Sequence, residues 1–197
     1  MSEFNIVNGT LISYTGKSRD VIIRAGVTSI GWRAFMENRN MSSVTVPEGV
    51  VSIKEEAFYK CEKLTRISLP HSLRRIDWFA FSRCSALVEI EIPDGVEVID
   101  DSAFFSCTGL ERITLPLSLK TLGMKAFVLC RSLAEISIPP AVTQIETRTF
   151  SNCAGLKRVI LPESIASIGT DAFFGCRELE EINIPSGVTH IGSEAFK

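Results

Sequence analysis

The residues of this 197-residue chain best suited to metal binding, disulfide formation or nucleophilic attack are six cysteines and two histidines. The cysteines are Cys61, Cys84, Cys107, Cys130, Cys153 and Cys176, each 23 residues from the next. Cys61 lies in EEAFYKCEKLTRISLP, with no CxxC partner and no histidine close by. His71 and His190 fall at different positions of the same 23-residue period and match neither a metal-ligand spacing nor a triad. GxGxxG, P-loop, HExxH and EF-hand signatures are absent. No convergent set of acid, base and nucleophile is visible, so the sequence predicts no catalytic, cofactor or metal site, and no enzyme.

The cysteine spacing belongs to a larger pattern. Pro47, Pro70, Pro93, Pro116, Pro139, Pro162 and Pro185 follow the same 23-residue period, and so do Phe35, Phe58, Phe81, Phe104, Phe127, Phe150, Phe173 and Phe196. Fixed-period self-similarity signals a repeat architecture. It runs without insertion or deletion over residues 24–197, as seven full units and a partial eighth, and leaves residues 1–23 outside.

Each unit reads P-x-x-V-x-x-I-x-x-x-A-F-x-x-C-x-x-L-x-x-I-x-I. In LTRISL, Ile67 and Leu69 alternate as on a strand, and the next proline, which lacks an amide donor, closes it. In VVSIKEEAF, Val50, Ile53 and Ala57 have helix-like spacing, but Gly31, Gly123, Gly169 and Gly192 follow the central aliphatic residue in four units. Glycine weakens a helix, and the Val, Ile, Thr and Ser around it favour extended structure. The unit therefore predicts a strand, a second short extended segment and about one helical turn at AFxxC. A unit this short buries its apolar side only by stacking on copies of itself. Rungs ~4.8 Å apart predict a solenoid with parallel ladders, roughly 35–40 Å long. Residues 1–23 read as an N-terminal hairpin cap: Phe4, Ile6, Leu11, Ile12 and Tyr14 flank Asn8-Gly9, a strong turn signal.

Equal positions of equal rungs lie above one another, so the cysteines are expected to form a structural ladder. Free cysteine behaves as a small buried hydrophobe with a weak S–H donor. Parallel side chains on successive rungs are poorly aimed for a disulfide and do not converge as zinc requires. Asn38 occupies the equivalent site in the first unit and can likewise bond turn backbone.

Two sets of positions are candidates for partner binding. Arg66, Glu89, Arg112, Glu135, Arg158 and Glu181 alternate in sign through consecutive units, four residues before each proline. Opposite charges on neighbouring rungs attract, so this column either neutralises itself or forms a charged groove for a peptide or glycan. Trp78 and Phe79, with Trp32, Met124, Tyr59, Phe105 and Phe174, lie near the predicted helical turn, where they either cover that turn or form an exposed patch for a partner.

The net charge of −2 and the lack of a basic stripe argue against nucleic acid. No apolar run approaches the ~20 residues of a membrane span. The opening MSEFNIVNGT is not a signal peptide. The chain is therefore expected to be cytoplasmic or a fragment of a surface protein. It stops at EAFK, inside a unit, with no C-terminal cap. Val188, Ile191, Ala195 and Phe196 are then expected to be uncovered and to favour end-to-end self-association through the C-terminal rungs.

The pattern LxxIxIPxxVxxIGxxAFxxC resembles the BspA-like, or treponemal-type, leucine-rich repeat, over about 174 of the 197 residues. The resemblance implies a right-handed solenoid with a parallel sheet on one face. It also implies a non-catalytic protein–protein interaction module, with a surface adhesin for a host matrix protein or glycan as the alternative. The first 23 residues resemble the family's N-terminal cap.

Overall fold

A computed structural model describes residues 3–197 and shows a β-solenoid of eight rungs. The chain opens with β1 (Phe4–Val7) and β2 (Thr10–Tyr14), an antiparallel pair. Asn8 and Gly9 take φ of 49° and 76° in the turn between them. β2 then pairs in parallel with β4 (Ser29–Ile30), the start of a first ladder continued by β6 (Ser52–Ile53), β8 (Arg75–Ile76), β10 (Val98–Ile99) and β12 (Thr121–Leu122). β14 (Gln144–Ile145), β16 (Ser167–Ile168) and β18 (His190–Ile191) extend that side as a separate group. A second ladder begins at β3 (Asp20–Ile22), inside the first 23 residues, and pairs with β5 (Ser43–Thr45) and β7 (Arg66–Ser68). It goes on as β9 (Glu89–Glu91) with β11 (Arg112–Thr114), then β13 (Glu135–Ser137), β15 (Arg158–Ile160) and β17 (Glu181–Ile182).

Both extended segments of the unit are present, and the three-residue strands of the second ladder turn their central aliphatic residue inward between more exposed neighbours, as a period of two requires. The AFxxC segment, expected to form a helical turn, does not: it is a run of β-turns. In one rung the amides of Ala57, Tyr59 and Cys61 close back on the carbonyls of Lys54, Glu56 and Phe58, at 3.0–3.1 Å. The intervening amides of Phe58 and Lys60 donate to Ala80 and Ser82 of the next rung, both at 2.8 Å. Glu56 and Lys60 sit at φ of 55° and 57°, and these left-handed residues turn alternate amides out of the rung plane. A helix ~10–12 Å across would splay rungs that the strands hold ~4.8 Å apart. The turn run fits that spacing and adds a third set of rung-to-rung hydrogen bonds.

The core is a set of side-chain columns. The phenylalanine rings from Phe35 to Phe196 stack with centroids 4.9–5.5 Å apart and planes within 9°. At the N-terminal end Tyr14 lies 5.3 Å from Phe35, and Phe4 lies 4.9 Å from Tyr14, so the hairpin covers the open end of the column.

The second ladder is interrupted. β7 and β9 are not hydrogen-bonded to each other, nor are β11 and β13. The inward aliphatic residues of the strand that precedes each split, Ile67 with Leu69 in and after β7 and Ile113 with Leu115 in and after β11, are only half-buried. Their counterparts Val44, Ile90, Ile136 and Val159 are buried. The first ladder is interrupted once, between β12 and β14.

Candidate functional site

A groove of about 1070 Å³ runs over the outer face of β5, β7, β9 and β11. The outward positions of the strands supply Arg66, Glu89 and Arg112 in one column and Thr45, Ser68, Glu91 and Thr114 in the next. The split between β7 and β9 lends it partly uncovered aliphatic surface from Ile67 and Leu69. At the strand ends it is rimmed by His71, Asp94 and Leu117, the last 74% exposed. The alternating column thus divides: Arg66, Glu89 and Arg112 line the groove, while Glu135, Arg158 and Glu181 continue the column beyond it.

The column forms ion pairs at two of its junctions. Arg112 meets Glu89 at 2.8 Å, and Arg158 meets Glu181 at 3.3 Å. The Glu89 carboxylate beside it raises the Arg112 pKa further above its ordinary value. Among the described residues Arg66, Glu91 and Asp94 form no ion pair, so the groove presents one free cation near one end of the strands and two free anions toward the other. Glu91, Asp94 and Leu117 escape a sequence reading because each looks like an ordinary solvated position. Exposure of Leu117 beside Pro116 sets it apart.

The aromatic candidates lie on the turn side, away from this groove. Trp78 is 48% exposed and its ring lies 5.5 Å from that of Phe79, tilted by 38°. Trp32 is covered in part by Arg33, whose guanidinium lies 4.4 Å from its ring, and Lys60 lies over Tyr59 at 5.3 Å.

Each of the six cysteines is a free thiol that donates to a phenylalanine carbonyl of the preceding rung. The Sγ–O distances are 3.0–3.2 Å, from Cys61 to Phe35 through Cys176 to Phe150. Burial pushes the Cys61 and Cys107 thiols up to about 12, and Cys84, Cys130 and Cys153 well above their ordinary value. A thiol held in this way is a poor nucleophile and a poor metal ligand, because both tasks require the thiolate. In the first rung the Asn38 carboxamide oxygen accepts the amides of Asn40 and Met41 at 3.0 Å each. No group of three or more His, Cys, Asp or Glu side chains among the described residues is arranged to hold a metal ion, and no helix is long and apolar enough to cross a membrane.

Comparison with known proteins agrees with this architecture. The leucine-rich repeat protein of T. pallidum is 32% identical and superposes with a TM-score of 0.82, covering 86% of this chain and 82% of its own. A leucine-rich repeat protein from Bacteroides ovatus is 28% identical with a TM-score of 0.68, over 98% of this chain and 60% of its own. One from Bacteroides capillosus is 31% identical with a TM-score of 0.50, over 57% of this chain and 97% of its own. No curated protein matches. The profile of the BspA-type leucine-rich repeat region matches in six copies across residues 7–127 and 76–197. The repeat unit, its stacking and this match together make the chain a member of the BspA-type leucine-rich repeat family.

Proposed function

We propose that this chain is a non-enzymatic protein-interaction module that takes a segment of a partner protein in the groove over β5, β7, β9 and β11. A leucine-rich repeat scaffold supports protein interaction in general. The observation that carries the specific reading is the groove itself. It combines a volume of about 1070 Å³ and half-buried aliphatic side chains with charges that form no ion pair among the described residues. Interfaces draw their energy from such partly apolar centres, and unpaired rim charges set orientation and choice of partner. A screen against a peptide library, matrix proteins and glycans tests it, with Arg66→Glu and Leu117→Asp as variants. A protein or peptide ligand that both variants lose is the expected result; ligands indifferent to both overturn the assignment to this groove. A matrix protein among the hits gives the module an adhesive role, and a glycan alone replaces the reading.

The 197-residue chain by itself also presents a surface for a second copy. Phe196 is 42% exposed and Ile191 47%, and each of β17 and β18 has a strand edge without a partner among the described residues. End-to-end pairing through these rungs covers both. Sedimentation should show a concentration-dependent dimer that a polar helix appended after Lys197 abolishes; a monomer at millimolar concentration contradicts it.

A further inference from the structure

Both tryptophans of the chain lie in one column, where the first ladder passes into the turn run. In consecutive rungs that column reads Trp32, Glu55, Trp78, Asp101 and Met124, so apolar and acidic side chains alternate. The apolar members are exposed, Trp32 by 58%, Trp78 by 48% and Met124 by 43%. Trp32 remains so although the Arg33 guanidinium lies 4.4 Å from its ring. The half-buried ring of Phe79, 5.5 Å from that of Trp78, widens the central anchor. The ladder step is ~4.8 Å, and the buried phenylalanine rings beneath Trp32, Glu55 and Trp78 step by 4.9 and 5.2 Å, so an apolar side chain recurs about every 10 Å.

The charges beside the row are unequal. Lys54 is paired with Asp77 at 3.6 Å, Arg75 with Asp77 and Asp100, and Arg33 with Glu56. Glu55 and Asp101, in the row itself, form no ion pair among the described residues, and Glu55 acts on Arg33 less strongly than Glu56 does. One Asp101 oxygen accepts the Met124 amide at 2.7 Å, which positions the carboxylate without neutralising it. Three cations therefore face five carboxylates around the tryptophans, and the surplus negative charge lies between the apolar anchors. Lys125, exposed beside Met124, ends the row with a positive charge.

We propose that this row is a second binding site, for a basic, proline-rich segment of a partner protein in the polyproline II conformation. Prolines three residues apart lie against Trp32 and Trp78, and arginine or lysine side chains between them reach Glu55 and Asp101. The spacing selects the conformation. Polyproline II presents the same edge every third residue, ~9.3 Å along. A strand presents one face every ~6.6 Å. A helix returns every ~5.4 Å and would set its apolar stripe over the acidic rungs as well as the aromatic ones. Aromatic surfaces suit proline-rich segments because the conformation is already formed and docking orders little. The carboxylates between the anchors select cationic segments. The site lies on the turn side, apart from the groove of the second ladder, and does not depend on it.

Trp32 and Trp78 are the two tryptophans of the chain, so their emission reports on the row directly. Titration of the full chain with the capped peptide (Pro-Pro-Arg)3, which has no aromatic residue, should change that emission saturably. (Pro-Pro-Glu)3 and the flexible (Gly-Ser-Arg)3 should each bind at least about tenfold more weakly. Measured by calorimetry, Trp78→Ala should weaken binding at least about tenfold, and the double variant Glu55→Gln, Asp101→Asn should do the same. Arg66→Glu, in the groove, should leave it unchanged. No saturable change with (Pro-Pro-Arg)3, or equal binding by Trp78→Ala, overturns the proposal. Equal binding of (Gly-Ser-Arg)3 reduces the contact to charge attraction and overturns the conformation. Equal binding of (Pro-Pro-Glu)3 overturns the role of the carboxylates. Saturation by the neutral sugar cellohexaose, with none by the peptides, makes the row a glycan site and overturns the occupant. Loss with Arg66→Glu and not with Trp78→Ala places the peptide in the groove and overturns the row.

Discussion

The thiol of Cys107 lies 3.1 Å from the carbonyl oxygen of Phe81, one rung back, and that oxygen also accepts the amide of Cys84 at 3.1 Å. One buried carbonyl thus ties two rungs together through a backbone donor and a side-chain donor. Cys107→Ser keeps a donor of similar reach, whereas Cys107→Ala removes it and leaves a small void. The alanine variant should lose about 1–2 kcal/mol, and the serine variant less. Urea unfolding of the two variants checks the order; equal losses would assign the site to volume alone.

The buried thiols also make stability depend on alkaline pH. In the unfolded chain a cysteine titrates near ~8.5; in the fold Cys61 and Cys107 titrate at about 12. Because the folded pKa is the higher, the stabilisation is complete below the unfolded value and is lost as pH rises toward the folded one. Each such thiol withdraws about 1.4 kcal/mol per pH unit in that window. The urea midpoint should be flat between pH 6 and 8 and fall steeply above about 9. A Cys84→Ser, Cys107→Ser double variant should fall less steeply; an unchanged slope would point to tyrosine or lysine instead.

Arg112 sits between Glu89 and Glu135 on the second ladder. Arg112→Glu should lower thermal stability at low salt, since three acidic side chains then follow one another on adjacent rungs. The pair with Glu89 is well exposed, at 65% and 58%, so the loss should be small and should vanish near 1 M salt, where screening acts over ~3 Å. A melting curve identical to that of the parent at low salt would remove any structural role for the column.

Gly123 has no room for a side chain. A Cβ there would lie 2.5 Å from the amide nitrogen of Asp101 and 2.6 Å from the carbonyl carbon of Asp100, both backbone atoms of the rung before. Gly123→Ala should therefore cost about 1–3 kcal/mol by overpacking. Gly26→Ala serves as a comparison that isolates backbone strain, since φ is 90° there and nothing lies within 4 Å of the added atom. Full stability of Gly123→Ala would show that the rungs can separate at little cost.

Much of this architecture is legible in the residues, because a strict period places like beside like. The prolines mark the strand ends, Ile67 and Leu69 alternate, and Asn8-Gly9 announces the hairpin. The AFxxC segment misleads because Ala57, Phe58 and Cys61 have the spacing of a helix face, while the left-handed residues that forbid the helix are Glu56 and Lys60, types that do not advertise that conformation. A clue was present in later units, where Asn152 and Gly175 stand in the place of Lys60 with φ of 61° and 71°. The glycines near the first ladder lower helix propensity, as read from composition, but Gly123 is needed because a neighbouring backbone comes so close. The groove is the least legible part. Ile67 and Ile90 carry the same pattern, yet the ladder parts between their strands, and nothing in either unit distinguishes a joined pair from a separated one.

The rung boundary at which both ladders are interrupted, between β11 with β12 and β13 with β14, has a mechanical consequence. Across it the turn side keeps its bonds: Lys125 to Thr147 at 3.1 Å, Phe127 to Thr149 at 2.9 Å and Leu129 to Ser151 at 3.0 Å. On the strand side a single longer bond remains, from the Ala134 amide to the Glu111 carbonyl at 3.5 Å, so the rungs are joined there chiefly along the turn side, like a book along its spine. The groove over β5 to β11 lies wholly on one side of that hinge line, and the aromatic stack of the core crosses it unbroken from Phe127 to Phe150 at 5.5 Å.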